Sequence, residues 1–282
     1  MTRLFEALQF EFMRYALAAA IFTGLAAPAV GTFLVQRRLA LLGDGLGHVA
    51  LTGVALGLLA NIAPTLTAIV VAALGAVLIE LLRMYGRTSA DVALAMLFYG
   101  GIAGGVLLTN LAGESAASLN AFLFGAITTV GTGDLVLVGV LGLVVVVVSL
   151  GLSPQLFAVC QDEEHAKVSG VPVRAYSILI AVLAAVTITV AMQTVGLLLV
   201  SALMVVPVAA SQQLTRSFRT THLAAMGIGL FAAVGGLFGS YEIDTAPGPT
   251  IVILALAVFA VASLIGAVLT RTRSRRRPVD SL

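Results

Sequence analysis

The segment 141–150 reads LGLVVVVVSL and includes five successive valines, Val144 to Val148. A strand of a membrane β-barrel alternates apolar and polar residues over about ten positions, and this segment does not alternate. It lies within a longer apolar stretch, 134–153, which has the roughly 20 residues that a helix needs to cross a bilayer. The segment therefore predicts a membrane-spanning helix.

Eight further apolar stretches of similar length occur along the chain. Together with the first they cover 12–35, 39–61, 65–83, 92–112, 134–153, 175–192, 195–212, 222–241 and 248–270. We expect an all-α, polytopic transmembrane helical bundle with about nine spans, within a range of eight to ten. The bundle takes up the whole chain, 1–282, as one transmembrane domain. The shorter stretch 119–130 is interpreted as a half-helix or re-entrant piece joined to the fifth span.

Composition restricts the function as well as the fold. Of the 282 residues, 60% are hydrophobic and only 10% are charged, whereas a soluble domain is about 25% charged. The single cysteine, Cys160, excludes an internal disulfide and a thiolate metal cluster within one chain. These features exclude a soluble enzyme, a nucleic-acid-binding protein and a disulfide scaffold, and they leave an integral membrane protein.

Basic residues are concentrated in alternate loops, and this distribution predicts the orientation. Thirteen of the 15 fall on one side, which the tendency of positively charged loops to stay inside assigns to the cytoplasm. The C-terminus is then cytoplasmic and, with nine spans, the N-terminus is outside. The basic tail, 271–282, is interpreted as an anchor at an anionic lipid surface. The thirteen residues are Arg37, Arg38, Arg83, Arg87, Lys167, Arg174, Arg216, Arg219, Arg271, Arg273, Arg275, Arg276 and Arg277.

Asp44 and His48 are the ionisable residues that stand out at membrane depth. They are four positions apart, so their side chains lie on one face of a helix, about 6 Å apart along its axis. Each such group costs around 2.5–3.5 kcal/mol to place in a membrane, so a functional role is expected. A carboxylate and an imidazole can share one zinc, manganese or ferrous ion. The same two groups could instead form a hydrogen-bonded pair without a metal.

The cytoplasmic segment of about 155–174 is the longest polar interruption of the chain. A short helix is expected there, capped by Asp162 and stopped at Gly170. Glu164, Ala166 and Gly170 follow Glu-x-Ala-x-x-x-Gly spacing, and the small residues suit docking into a groove of another protein. An ordinary solvated linker is the alternative.

Several other polar residues have simpler interpretations. Pro207 interrupts the seventh span and predicts a kink that could serve as a gate. Glu80 lies near the cytoplasmic end of its span and can reach Arg83. Asp91 is interpreted as a helix-start residue favoured by the helix dipole, and His222 as a solvated or capping residue.

The only lysine, Lys167, excludes a nucleotide-binding loop in this chain. Such a loop needs Gly-Lys followed by Ser or Thr, whereas Lys167 stands between Ala166 and Val168. We therefore expect that this chain is not itself an ATPase and is not an enzyme.

The segment 37–57, RRLALLGDGLGHVALTGVALG, resembles the hallmark sequence of the zinc/manganese (metal-ion) ABC importer permeases. Three further stretches match that family in order, at 164–172, 195–207 and 239–250. The resemblance therefore covers nearly the whole chain. One departure is Thr52, which stands where a proline is common in the family.

The resemblance implies a transmembrane permease subunit of an ATP-binding cassette importer for divalent metal ions, zinc or manganese. Two copies would form a homodimer around a central pathway in a bacterial inner or plasma membrane. Cytoplasmic ATPase subunits would hydrolyse ATP, and an extracellular solute-binding protein would deliver the ion. Asp44 and His48 would contact the metal, and 162–172 would be the coupling helix that docks on the ATPase. Membrane lipid would surround the chain, with no permanently bound cofactor and no nucleic-acid partner.

Two other functions fit the same residues. Asp44 and His48 could form a proton relay in a secondary ion transporter or channel, which would work without an ATPase. An ABC permease for iron chelates or cobalamin would differ by a larger pathway.

Overall fold

The computed structural model describes residues 10–85, 89–113, 123 and 132–274. In this part of the chain eleven α-helices have defined bounds, and no residue lies in a β-strand. The predicted all-α helical bundle is confirmed. The helices are α1 (Glu11–Gln36), α2 (Leu42–Ala60), α3 (Pro64–Tyr85), α4 (Ala90–Leu111), α5 (Thr132–Gly151), α6 (Ser153–Gln161), α7 (Glu163–Val168), α8 (Val173–Val195), α9 (Leu197–Leu214), α10 (Phe218–Ile243) and α11 (Pro247–Ser274).

Each of the nine predicted spans falls on one of these helices. Within the described ranges, seven helices, α1 to α4, α8, α10 and α11, are long and apolar enough to cross a membrane. Helix α5 qualifies only together with α6, from which it is bent by 69°. Helix α9 is shorter, so the count of nine stays a prediction. The predicted piece 119–130 lies outside the described residues except for Leu123, as does most of the tail 271–282.

Local sequence sets the ends of several helices. Ser89 and Ser217 cap α4 and α10, because each hydroxyl oxygen accepts the backbone N–H three residues further on. Pro154 lies in the first turn of α6, where the missing N–H of proline costs nothing, and α6 starts in a new direction after the bend. Gly196 separates α8 from α9 with a φ of 92°, which other residues rarely adopt.

Close packing of small residues holds the bundle together. Helix α1 packs against α5, α8, α9 and α10, and α2 packs against α3 and α4. A Cβ on Gly31 would lie 1.9 Å from the carbonyl oxygen of Met204, so the backbones of α1 and α9 touch at this point. The outer faces of α3, α4 and α11 carry exposed apolar side chains, among them Leu74, Leu107 and Leu264. We assign these faces to lipid.

Candidate metal site

Helix α2 carries both residues of the predicted metal pair. Asp44 lies in its first turn, where the helix dipole favours a carboxylate, and it is half-buried. His48 follows one turn later and is buried, with 9% of the residue exposed. His48 is six residues from the start of α2, or about 9 Å along the axis. In the predicted orientation the pair therefore lies towards the cytoplasmic end of this span.

Helix α4 fits closely against α2 at His48. A Cβ on Gly101 would lie 2.7 Å from the carbonyl carbon of His48 and 2.8 Å from the backbone nitrogen of Val49. The Thr52 hydroxyl donates a hydrogen bond to the carbonyl oxygen of Gly101, at 2.7 Å. Thr52 therefore ties α2 to α4 beside His48.

The imidazole of His48 is held by an aromatic contact. The ring of Phe98 meets it edge to face, with 4.6 Å between the ring centroids and 79° between the planes. Nδ1 of His48 is buried and has no hydrogen-bond partner among the described residues. An unpaired buried nitrogen costs about 1–3 kcal/mol, and a metal ion or a proton would use its lone pair. Among the described residues, no hydrogen bond joins His48 to Asp44.

A cavity of about 370 Å³ is lined by Asp44 and Phe98, whereas His48 is not among its lining residues. A second carboxylate, that of Asp91 in the first turn of α4, lines the same cavity. The sequence interpretation of Asp91 as a helix-start residue is correct for its place in α4, but it missed this shared cavity. The complete lining is Leu41, Asp44, Asp91, Leu94, Ala95, Phe98 and Tyr99.

One chain offers few ligands at this site. Within the described residues, no three His, Cys, Asp or Glu side chains are close enough together to hold one metal ion. Asp44 and His48 share a helix face, as the spacing predicts, but the two alone do not fill the coordination sphere of zinc, which takes four ligands in structural sites. For a metal ion to bind here, water or another chain would have to supply the other ligands.

The residues predicted to contact an ATPase lie on and after α7. Asp162 caps this helix by accepting the His165 backbone N–H at 3.0 Å, so the short helix occurs where the sequence predicts it. Glu164 and Gly170 are exposed, and Gly170 has a φ of 81° just after the helix. Ala166 differs from the expectation, because it is 1% exposed and packs against the protein itself.

Two other predicted positions have different outcomes. Pro207 is buried inside α9, and its role in gating stays a prediction. The interpretation of His222 as solvated or capping is wrong. His222 is 2% exposed, its two ring nitrogens have no hydrogen-bond partner among the described residues, and its ring packs against Phe33 and Phe218. This burial could not be predicted from the residues around His222, since it stands at the polar start of a helix.

Comparison with known proteins identifies the family. The model of the ABC 3 transport family matches residues 9–266. The chain belongs to the ABC 3 transport family. The resemblance of segment 37–57 and the three later stretches to metal-ion ABC permeases is thereby confirmed.

Similar ABC 3 proteins carry names that refer to metal transport. The chain is 32% identical over 257 residues to the manganese import system permease protein ScaB of Streptococcus parasanguinis, covering 91% of each chain. It is 28% identical over 253 residues to the high-affinity zinc uptake system membrane protein ZnuB of Haemophilus influenzae, covering 90% of this chain and 97% of ZnuB.

A solved structure has the same fold. It is that of PsaBC from Streptococcus pneumoniae in complex with Fab, with a TM-score of 0.83 and 31% sequence identity. The match covers 93% of this chain and 94% of the other. This ABC 3 chain is therefore a multi-pass membrane transport protein with a permease fold.

Proposed function

We propose that this chain is the permease subunit of an ATP-binding cassette importer for a divalent metal ion, manganese or zinc. The observation that carries the proposal is the arrangement of Asp44 and His48. A carboxylate faces a cavity of about 370 Å³, and one turn further along α2 a buried imidazole nitrogen has no partner among the described residues. Carboxylate and imidazole are ligands that suit both metals. The names of the ScaB and ZnuB relatives support the same two ions as substrate.

A second copy of the chain would complete the site. The cavity beside Asp44 is open, and its rim includes Leu41 and Tyr99, which are 74% and 69% exposed. Apposition of two such rims in a homodimer would bring two carboxylates and two imidazoles around one pathway. Four ligands from two chains would suffice to bind an ion, and the small number from each chain would let the ion leave.

The energy would come from a separate ATPase that docks on α7. The chain has one lysine and lacks the Gly-Lys-Ser/Thr sequence of a nucleotide-binding loop. Val168, the last residue of α7, is 88% exposed, and Glu164 is exposed on the same short helix. Such a highly exposed apolar side chain favours a surface that binds a partner over a solvated linker. We therefore infer that α7 is the coupling helix, and that ATP is bound by the partner subunit alone.

The remaining parts of the proposal concern the surroundings of the permease. The whole chain acts as one permease domain in a bacterial inner or plasma membrane, with its C-terminus in the cytoplasm. An extracellular solute-binding protein delivers the ion, which is the substrate and not a resident cofactor. The basic loops around Arg37 and Arg83 support this orientation, because their side chains meet at one end of the bundle.

Uptake of radioactive Mn²⁺ and Zn²⁺ tests the function. Cells that depend on this transporter would carry the wild type, Asp44→Asn or His48→Ala, each checked for expression in the membrane. We expect both variants to lose most of the uptake. Asp244→Asn is the matched control, since this residue lies outside the cavity and is exposed. Wild-type uptake by both site variants would refute the assignment of the metal site. Uptake that persists without any ATPase would favour a secondary transporter.

A further inference from the structure

Four charged side chains from three parts of the fold meet beside α7. Nη2 of Arg83 lies 3.2 Å from Oε1 of Glu80 and 3.1 Å from Oε1 of Glu163. Nη2 of Arg37 lies 3.5 Å from the same oxygen of Glu80 and forms an ion pair with the same oxygen of Glu163. Each carboxylate therefore joins both guanidinium groups. The four side chains form a closed ion network with no net charge.

The members of the ion network differ in burial. The side chains of Glu80 and Arg37 are 2% and 4% exposed, and that of Arg83 is 20% exposed. The side chain of Glu163 is 51% exposed. Two guanidinium groups inside the protein need two carboxylates, because a buried charge without its partner is strongly destabilising. Glu163 is the most exposed member and can move into water at small cost to itself. Its departure leaves Glu80 as the carboxylate shared by Arg37 and Arg83, while Arg37 keeps its hydrogen bond to the Ser177 hydroxyl at 3.1 Å.

Glu163 is also the polar link between α7 and the membrane helices. Helix α7 packs on α6 and α8, and Ala166 is its one buried residue. Its first residue, Glu163, reaches Arg37 just after α1 and Arg83 in α3. Gln161, two residues earlier, accepts a hydrogen bond from Gln36 at 2.9 Å. Two consecutive residues at the end of α1 are therefore bonded to the segment that leads into α7.

A short turn connects Arg37 to the candidate metal site. Arg37 is seven residues before Asp44, and Arg38 adopts a φ of 59°, which makes the turn tight. The Leu39 N–H donates back to the carbonyl of Leu34 at 2.8 Å, and the Leu42 N–H donates to the carbonyl of Leu39 at 2.9 Å. Because the turn is closed by its own hydrogen bonds, a displacement of Arg37 moves the first turn of α2, where Asp44 lies.

We propose that Glu163 is a positioning residue that transmits the movement of α7 to the metal site through Arg37. When α7 moves, the ion pair draws Arg37 and the turn after α1 with it, and Asp44 shifts relative to α4. Loss of the Glu163 carboxylate removes the ion pair and leaves only the neutral hydrogen bond between Gln36 and Gln161, so that ATP is hydrolysed with much less movement of the ion. This inference rests on the proposed function, since it takes α7 to be the contact with the ATPase.

The test measures ATP hydrolysis and Mn²⁺ uptake in the same liposomes, with the full-length permease purified together with its ATPase subunit. For Glu163→Gln we expect the ATPase to stay bound and active, while the Mn²⁺ taken up per ATP falls at least about fivefold, the lower end of typical coupling between sites. Glu163→Asp retains the charge and should recover most of the ratio. Arg174→Gln is the matched control, because its guanidinium stacks over the Tyr85 ring at 5.2 Å and lies outside the ion network. Its ratio should equal that of the wild type.

A double variant distinguishes the loss of transmitted movement from the loss of charge balance among the buried side chains. The double variant Glu163→Gln with Arg83→Gln leaves Arg37 paired with Glu80, so the buried charges are balanced again. The ion pair between α7 and Arg37 is still missing. We expect the double variant to stay as uncoupled as Glu163→Gln. A wild-type ratio in Glu163→Gln, or recovery of the ratio in the double variant, would overturn the inference. Absence of Mn²⁺ and Zn²⁺ uptake by the wild-type complex would instead overturn the proposed function.

Discussion

The contact between α2 and α4 is the part of the candidate site whose energetics can be worked out most directly. The perturbation is Gly101→Ala. The added Cβ would lie 2.7 Å from the carbonyl carbon of His48 and 2.8 Å from the nitrogen of Val49, both of them backbone atoms that cannot rotate away. Carbon atoms pack at about 3.5–4.0 Å, so α4 has to withdraw from α2 by roughly 0.7 Å or more.

Two costs follow from this withdrawal. Overpacking of this kind costs about 1–3 kcal/mol. The hydrogen bond from Thr52 to the Gly101 carbonyl, now 2.7 Å long, is stretched out of range, and such a bond between membrane helices contributes about 0.6 kcal/mol. Before the helix preference of alanine is counted, we expect these two costs to destabilise Gly101→Ala by about 1.6–3.6 kcal/mol. The His48 ring would lose its close contact with Phe98, so metal uptake should fall as well.

The neighbouring glycine provides the control. A Cβ on Gly100 would meet no atom within 4 Å, and alanine is favoured over glycine in a helix by about 1 kcal/mol at both positions. The difference between Gly101→Ala and Gly100→Ala therefore isolates the packing. In thermal unfolding of the purified protein in detergent at one scan rate, the Tm of Gly101→Ala should be about 4–10 °C lower. Equal Tm and equal uptake for the two variants would refute the close fit of α4 on His48.

Three further predictions follow from named contacts. Glu80→Gln removes the buried carboxylate that pairs with the buried Arg37. The free energy of unfolding, measured in denaturant titrations, should drop by about 3–5 kcal/mol. The control Glu242→Gln, at an exposed position, should change it by less than about 0.5 kcal/mol. Thr52→Val keeps the shape of the side chain but loses the bond to Gly101, so it should lower the free energy of unfolding by about 0.6–1.7 kcal/mol. Thr52→Ser, which keeps the hydroxyl, should retain most of this contribution. Val168→Asp puts a charge at the last residue of α7, which is 88% exposed. It should abolish co-purification of the ATPase while leaving the Tm of the permease unchanged. Co-purification at the wild-type level would rule out Val168 as part of the docking surface.

The apolar segments could be predicted from the sequence because the bilayer fixes their length. A run such as 135–153 is expected to be a helix because it neither alternates nor carries charge. The bend of 69° after α5 could not be predicted in this way. The apolar residues continue from α5 into α6 without an intervening charged residue. Pro154, in the first turn of α6, is the sequence feature that indicates the start of a new helix.

The relation between Asp44 and His48 could also be predicted, since positions four apart share a helix face whatever surrounds them. Their environment could not, because Phe98 and Gly101 reach α2 from a helix about 50 positions further along the chain. The link between Arg37 and Glu163 joins residues 126 positions apart. The local pair of Glu80 and Arg83, whose charged atoms lie 3.2 Å apart, could be predicted from their spacing. Arg37 and Glu163, which complete the ion network, could not.

The central claim is that two copies of this chain bind one divalent ion between their Asp44 and His48 side chains. Equilibrium dialysis of the purified permease–ATPase complex against Mn²⁺ or Zn²⁺, followed by elemental analysis, tests it directly. We expect about one ion for every two permease chains, since two chains supply four ligands, and loss of that ion in His48→Ala but not in the exposed Asp244→Asn. Metal bound equally by the wild type and His48→Ala, or by neither, would contradict it.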